Sequence, residues 1–144
     1  MSKKKFILLS VLKTWFFSTV ISTILLIIFM NLTKPGIEER PRNCDMSGLA
    51  YGLVIIWIFF LGIASLSSLF SFLKPVQNKM KTLLCWFLLP IFLIIYYFFM
   101  ITEGQKISGE DILFFLIANL PWLILWTFYY FRFRMLYFNH TIGV

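Results

Sequence analysis

Residues 46–73 read MSGLAYGLVIIWIFFLGIASLSSLFSFL, a run of 28 residues that contains no Asp, Glu, Lys, Arg or His. A helix needs about 20 apolar residues to cross the hydrocarbon core of a bilayer, which is roughly 30 Å thick. The run is long enough for one crossing, and it lacks the alternation of polar and apolar residues that is typical of a membrane β-strand. It therefore predicts a membrane-spanning helix.

Three further runs of similar length are also free of charge, and they cover residues 14–33, 82–102 and 112–131. Of the 144 residues, 60% are hydrophobic, 20% are aromatic and only 13% are charged, with a mean hydropathy of +0.89. A water-soluble domain with this composition would expose too much apolar surface. In lipid the backbone must satisfy its own hydrogen bonds, which favours helices.

We therefore predict that residues 1–144 form a single all-α transmembrane domain, a bundle of four helices. The predicted spans are about 6–32, 47–73, 82–101 and 112–131. The segments between them are two outer loops, 34–46 and 102–111, and one inner loop, 74–81. Residues 132–144 follow as a cytoplasmic tail, and we expect its first part, residues 132–138, to continue helix 4 into the interface with Arg132 and Arg134 reaching headgroup phosphates.

The basic residues predict the orientation of this bundle. Nine of them flank one side, namely Lys3, Lys4, Lys5, Lys13, Lys74, Lys79, Lys81, Arg132 and Arg134. The other side has four, Lys34, Arg40, Arg42 and Lys106, together with all six acidic residues. Because short cytoplasmic loops are enriched in Lys and Arg, we predict that both termini are cytoplasmic. The net charge of +7 then reflects topology and attraction to anionic lipid headgroups, and it predicts no nucleic-acid partner.

The N-terminus has the basic start of a secretory signal peptide, with Lys3, Lys4 and Lys5 ahead of an apolar run. That run is longer than an ordinary signal sequence, and no small-x-small cleavage site follows it. We expect an uncleaved first helix in a bacterial inner membrane. Cys44 and Cys85 fall on opposite sides of the predicted bilayer, so we expect no disulfide between them.

Small residues mark candidate faces for helix contact. Ser10, Thr14, Ser18 and Ser22 recur at a spacing of four residues, and Gly48 and Gly52 form a G-x-x-x-G pair at the start of the second span. Such stripes let transmembrane helices approach closely. Two interpretations stay open: packing within the chain, or contact with a partner helix or a second copy. The candidate partner contacts are Thr14, Ser18, Ser22, Gly48 and Gly52, with Glu38, Glu39, Arg40 and Arg42 in the charged loop between them.

The third and fourth spans each contain a proline, Pro90 and Pro121, and Asn119 is the one strongly polar side chain deep in a span. A proline in a helix removes one backbone hydrogen bond and favours a kink. The Asn119 amide can satisfy carbonyls loosened by Pro121 or bond another helix. The alternative is a place in a binding or conduction site.

Ionisable side chains are missing from the middle of every predicted span, although proton relays and charged-substrate sites are built from them. The sequence predicts no catalytic, cofactor or metal site, since the single histidine, His140, has no neighbouring ligands. We therefore expect a non-enzymatic protein that acts through contacts with another membrane protein, as toxin-immunity proteins and accessory subunits of envelope complexes do. The alternative is a small pore or transporter subunit that works as an oligomer.

Overall fold

The computed structural model describes residues 3–33, 47–72, 79–102 and 108–138, and the elements found there are all helical. In chain order they are α1 (Lys3–Leu32), α2 (Ser47–Ser65), a 3₁₀ helix (Leu66–Phe72) that continues α2, α3 (Lys79–Thr102) and α4 (Gly109–Phe138). Four helices are long enough and apolar enough to cross a membrane. The prediction of an all-helical chain with four candidate spans is thus confirmed.

The end of α4 lies beyond the uncharged run of the fourth span. The uncharged run ends at residue 131, and α4 continues through the first part of the tail 132–144 to Phe138, which confirms the expected continuation of helix 4. The added turns pack against α1, because the ring of Phe6 lies 6.0 Å from that of Phe133 and 5.9 Å from that of Tyr137. Aromatic contacts with the start of α1 therefore stabilise helix beyond the uncharged run.

Successive helices run antiparallel, which gives the bundle two chemically different ends. One end, called here the lysine end, contains the start of α1, the 3₁₀ helix, the start of α3 and the end of α4, as shown by Phe6 against Phe133 and by Ser67 against Cys85. All eight basic residues of the described ranges lie toward it, namely Lys3, Lys4, Lys5, Lys13, Lys79, Lys81, Arg132 and Arg134. The opposite end, called the acidic end, contains Glu110 and Asp111 in the first turn of α4.

Helix α1 packs mainly against α4 and α2, while α3 packs mainly against the 3₁₀ helix. The buried side of α1 is rich in hydroxyl groups, with Ser18 and Ser22 both at 0% exposure. Its outward side is apolar, with Leu12 at 58% and Phe16 at 57% exposure. This arrangement is the reverse of a water-soluble helix and is the one that a lipid solvent favours.

A capping box fixes the start of α4. The backbone N–H and the hydroxyl of Ser108 both donate to Asp111 Oδ2, at 3.0 and 2.9 Å, and the Asp111 N–H donates back to Ser108 Oγ at 3.2 Å. These bonds satisfy donors that a helix start otherwise leaves unpaired. The two acidic residues of the first turn also interact favourably with the positive end of the helix dipole.

Candidate functional site

The polar interior of the bundle is organised around its two prolines. Pro121 has no N–H, so the carbonyl of Ile117, four residues earlier in α4, loses its donor within the helix. The hydroxyl of Ser22 on α1 donates to this carbonyl at 2.9 Å. A serine on one helix thus supplies the hydrogen bond that a proline removed from another, and α1 and α4 are joined at that point.

The carbonyl that the second proline leaves without a donor also accepts a hydrogen bond from another helix. Pro90 removes the helical donor of the Trp86 carbonyl in α3. The indole N–H of Trp126 on α4 donates to Trp86 O at 3.0 Å. The two indoles are also stacked, with ring centroids 4.6 Å apart. This contact joins α3 to α4, and both tryptophans are fully buried.

Asn119 forms the third polar link. Its Nδ2 donates to Phe115 O within α4 at 2.8 Å, and its Oδ1 accepts from Trp57 Nε1 of α2 at 2.9 Å. Trp57 in turn stacks on Tyr97 of α3, with centroids 4.1 Å apart. Asn119 is 2% exposed, so its amide lies inside the bundle and connects α4 with α2.

A series of serine hydroxyl hydrogen bonds extends from the end of α2 along the 3₁₀ helix. Ser65 donates to Leu61 O, Ser68 to Ser65 O and Ser71 to Ser68 O, at 2.6 to 2.7 Å. Such bonds to preceding carbonyls compete with regular helical bonding, which fits the change from α to 3₁₀ geometry in this segment. Ser67 instead donates to Cys85 O of α3 at 2.8 Å, so the segment is also tied to its neighbour.

The predicted contact residues of α1 lie inside the bundle. Thr14, Ser18 and Ser22 are at most 1% exposed, and Ser18 donates to Trp15 O of its own helix at 3.1 Å. The structure thus uses the stripe for packing within the chain, which was one of the two interpretations of its spacing. Close approach of α1 to α4 and α2 covers these hydroxyls, so they present no face to a partner in this fold.

The predicted glycine pair has a different environment. Among residues 3–33, 47–72, 79–102 and 108–138, a Cβ atom added at Gly48 or Gly52 would have no neighbour within 4 Å, whereas one at Gly62 would lie 3.7 Å from Trp15 Cδ1. Gly48 and Gly52 therefore leave an open face at the acidic end of α2. The remaining candidates, Glu38, Glu39, Arg40 and Arg42, lie outside the described residues, as does Cys44. Cys85 is free and half-buried.

Sequence reasoning located the polar residues but not their partners. The positions of Pro90 and Pro121 already identify which carbonyls lose a donor, because the affected carbonyl is always four residues earlier. Which side chains replace that donor depends on helix rotation, and a single sequence does not specify it. Within the described ranges, no group of three His, Cys, Asp or Glu side chains is arranged to hold a metal ion.

Comparison of the chain with protein-family models, with curated proteins and with solved structures finds no match.

Proposed function

We propose that this chain is a non-enzymatic multi-pass membrane protein of a bacterial inner membrane, with both termini cytoplasmic, and that it acts by contact with another membrane protein. The contact surface is the acidic end of α2 together with the charged loop that precedes it. Immunity proteins and accessory subunits of envelope complexes are the functional types that fit this proposal.

One observation carries the proposal, the open glycine face of α2. Gly48 and Gly52 lie one turn apart, and no residue of the described part of the chain occupies the space where their side chains would be. Two glycines on adjacent turns let a second transmembrane helix approach the backbone closely. The other helical glycine of α2, Gly62, is covered by Trp15 of α1, whereas no described side chain covers Gly48 or Gly52.

The neighbouring loop adds the chemistry of recognition. Residues 34–46 connect α1 to α2 and end immediately before Ser47, and they contain three basic and three acidic side chains. A helix that packs on Gly48 and Gly52 would meet Glu38, Glu39, Arg40 and Arg42 at its membrane boundary. Charges at the rim of an interface select the partner and orient it, while close helix packing supplies the contact area.

The proposal is tested with a matched pair of glycine variants. Gly52→Leu places a bulky side chain on the open face, and Gly109→Leu does the same at another unoccupied position of the acidic end, on α4. We expect both variants to insert and fold as wild type, because an added Cβ atom at either position has no described neighbour within 4 Å. Crosslinking and co-purification from native membranes should recover a partner with wild type and with Gly109→Leu, and lose it with Gly52→Leu.

Equal recovery by the two glycine variants would contradict the proposal. Recovery of the chain itself as the sole partner would replace it with the oligomeric alternative, a small pore or transporter subunit.

A further inference from the structure

An apolar groove of about 320 Å³ runs between α1 and α2 on the outer surface of the bundle. Its walls include Leu12 and Trp15 of α1 and Phe59 and Ile63 of α2, and Gly62 lies between them. Leu12 and Phe59 are more than half exposed, at 58% and 52%, so the groove opens to the side of the bundle. In a bilayer this side faces lipid, and an empty groove would deprive its lining of dispersion contacts.

A second groove, of about 450 Å³, adjoins the first toward the lysine end. Lys4 and Lys5 line it, and it shares Leu8 and Leu12 with the apolar groove. Lys4 lies one helical turn from Leu8, about 6 Å along the axis at 1.5 Å per residue. The apolar groove therefore leads directly to two cationic side chains at the end of α1.

The positive charge of the lysine end favours an anionic ligand in the grooves. Among the described residues, the acidic side chains Glu110 and Asp111 lie at the start of α4, at the opposite end of the bundle. Lysine side chains near a membrane surface lay their methylenes along apolar groups and place the ammonium among headgroups. An anionic headgroup gains about fivefold in affinity for each such lysine, whereas a zwitterionic one gains little.

We propose that the joined grooves bind one anionic phospholipid from the leaflet at the lysine end. One acyl chain lies along Leu12, Trp15, Phe59 and Ile63, and the phosphate contacts Lys4 and Lys5. The groove suits an acyl chain better than a helix, because its part on α1 runs from Leu8 to Trp15, about 10 Å, which is no more than the diameter of a helix with its side chains. This site is at the other end of α2 from the proposed protein contact, so the two proposals stand independently.

The test uses tryptophan quenching by a brominated acyl chain, with purified full-length protein in detergent micelles. The probes are phosphatidylglycerol and phosphatidylcholine that carry the same dibrominated chain. The difference between wild type and Trp15→Phe isolates the signal of Trp15, which lines the groove. We expect phosphatidylglycerol to quench Trp15 at a mole fraction about 25-fold lower than phosphatidylcholine, since each of the two lysines contributes about fivefold.

A pair of double variants separates the groove lysines from the general charge of that end. Lys4→Gln with Lys5→Gln should remove most of the preference for phosphatidylglycerol. Arg132→Gln with Arg134→Gln removes the same charge from exposed positions of α4 that do not line either groove, and it should keep the preference. Equal quenching by the two lipids, an equal loss of preference in both double variants, or the absence of quenching that depends on Trp15 would each overturn the proposal.

Discussion

At the scale of single residues, Ser22 and Pro121 act on one carbonyl group. Ser22 Oγ lies 2.9 Å from Ile117 O, the carbonyl that Pro121 deprives of its helical donor. A buried carbonyl without a partner costs about 1 to 3 kcal/mol, whereas interhelical hydrogen bonds in membranes contribute about 0.6 kcal/mol on average and up to about 1.7. The contribution of Ser22 should therefore depend on whether residue 121 has an N–H.

Ser22→Ala should lower the free energy of unfolding by about 0.5 to 2 kcal/mol, because Ile117 O loses its donor. In a Pro121→Ala background the new N–H at residue 121 can bond that carbonyl, so the cost of Ser22→Ala should fall by about half or more. Reversible unfolding in mixed detergent micelles, followed by circular dichroism, measures all four members of the cycle.

Ser18→Ala is the matched control for this cycle. Ser18 belongs to the same stripe and is as fully buried as Ser22, but its hydroxyl donates to Trp15 O in its own helix. Its removal should change the stability by less than about 0.5 kcal/mol. The account of Pro121 fails if Ser18→Ala costs as much as Ser22→Ala, or if the effects of Ser22→Ala and Pro121→Ala simply add.

At the scale of elements, the extension of α4 beyond residue 131 depends on packing with the start of α1. Phe133 is 3% exposed and lies against Phe6, whereas Phe131, two residues earlier, is 53% exposed. Phe133 also lies 5.2 Å from the ring of Trp86 on α3. Phe133 thus connects α4 with α1 and α3 at the lysine end. Phe131, in contrast, lies on the exposed side of α4.

Truncation of these two phenylalanines should therefore have very different effects. Phe133→Ala should lower stability by about 1 to 3 kcal/mol, somewhat less than in a water-soluble core, because detergent or lipid solvates part of the freed surface. Phe131→Ala should change it by less than about 0.5 kcal/mol. Thermal unfolding in the same micelles compares them, and equal shifts in the midpoint would show that the extension of α4 does not contribute to the bundle.

The helices themselves were predictable because their signal is long and local. Four uncharged runs of 20 to 28 residues specify spans without any knowledge of neighbours. The continuation of helix 4 beyond residue 131 was also predictable, because large apolar residues alternate with Arg132 and Arg134 there. Its packing was not predictable, because the contacts of Phe133 and Tyr137 with Phe6 are formed between residues far apart in sequence. The 3₁₀ helix was missed because an apolar run with several serines predicts helix without specifying its type.

The small and polar residues that mark a helix face could be identified from the sequence, but the neighbour that each face contacts could not. Four-residue spacing allowed the α1 stripe to face either a neighbour in the chain or a partner, and only the rotation of α1 toward α4 decides between them. The spacing of Gly48 and Gly52 likewise allowed packing within the chain or contact with a partner. Here, no residue of the described ranges packs against the two positions. A single sequence defines the faces of a helix, but not which of them its own bundle covers.

At the scale of the whole molecule, the account requires that the lysine end and the acidic end face opposite compartments. We propose that the lysine end is cytoplasmic, because nine basic residues flank it in sequence against four at the acidic end, where all six acidic residues also fall. Both the proposed partner contact and the proposed lipid site depend on this separation, because they occupy opposite ends of α2.

Labelling with a membrane-impermeant thiol reagent in intact cells tests this topology directly. Two single-cysteine chains are compared in a Cys85→Ser background: one keeps Cys44 in the loop between α1 and α2, and the other carries Cys44→Ser with Ser2→Cys at the N-terminus. The account predicts that Cys44 is labelled in intact cells and that the thiol at position 2 is labelled only after the membrane is opened. Labelling of position 2 in intact cells, with Cys44 protected, would contradict it.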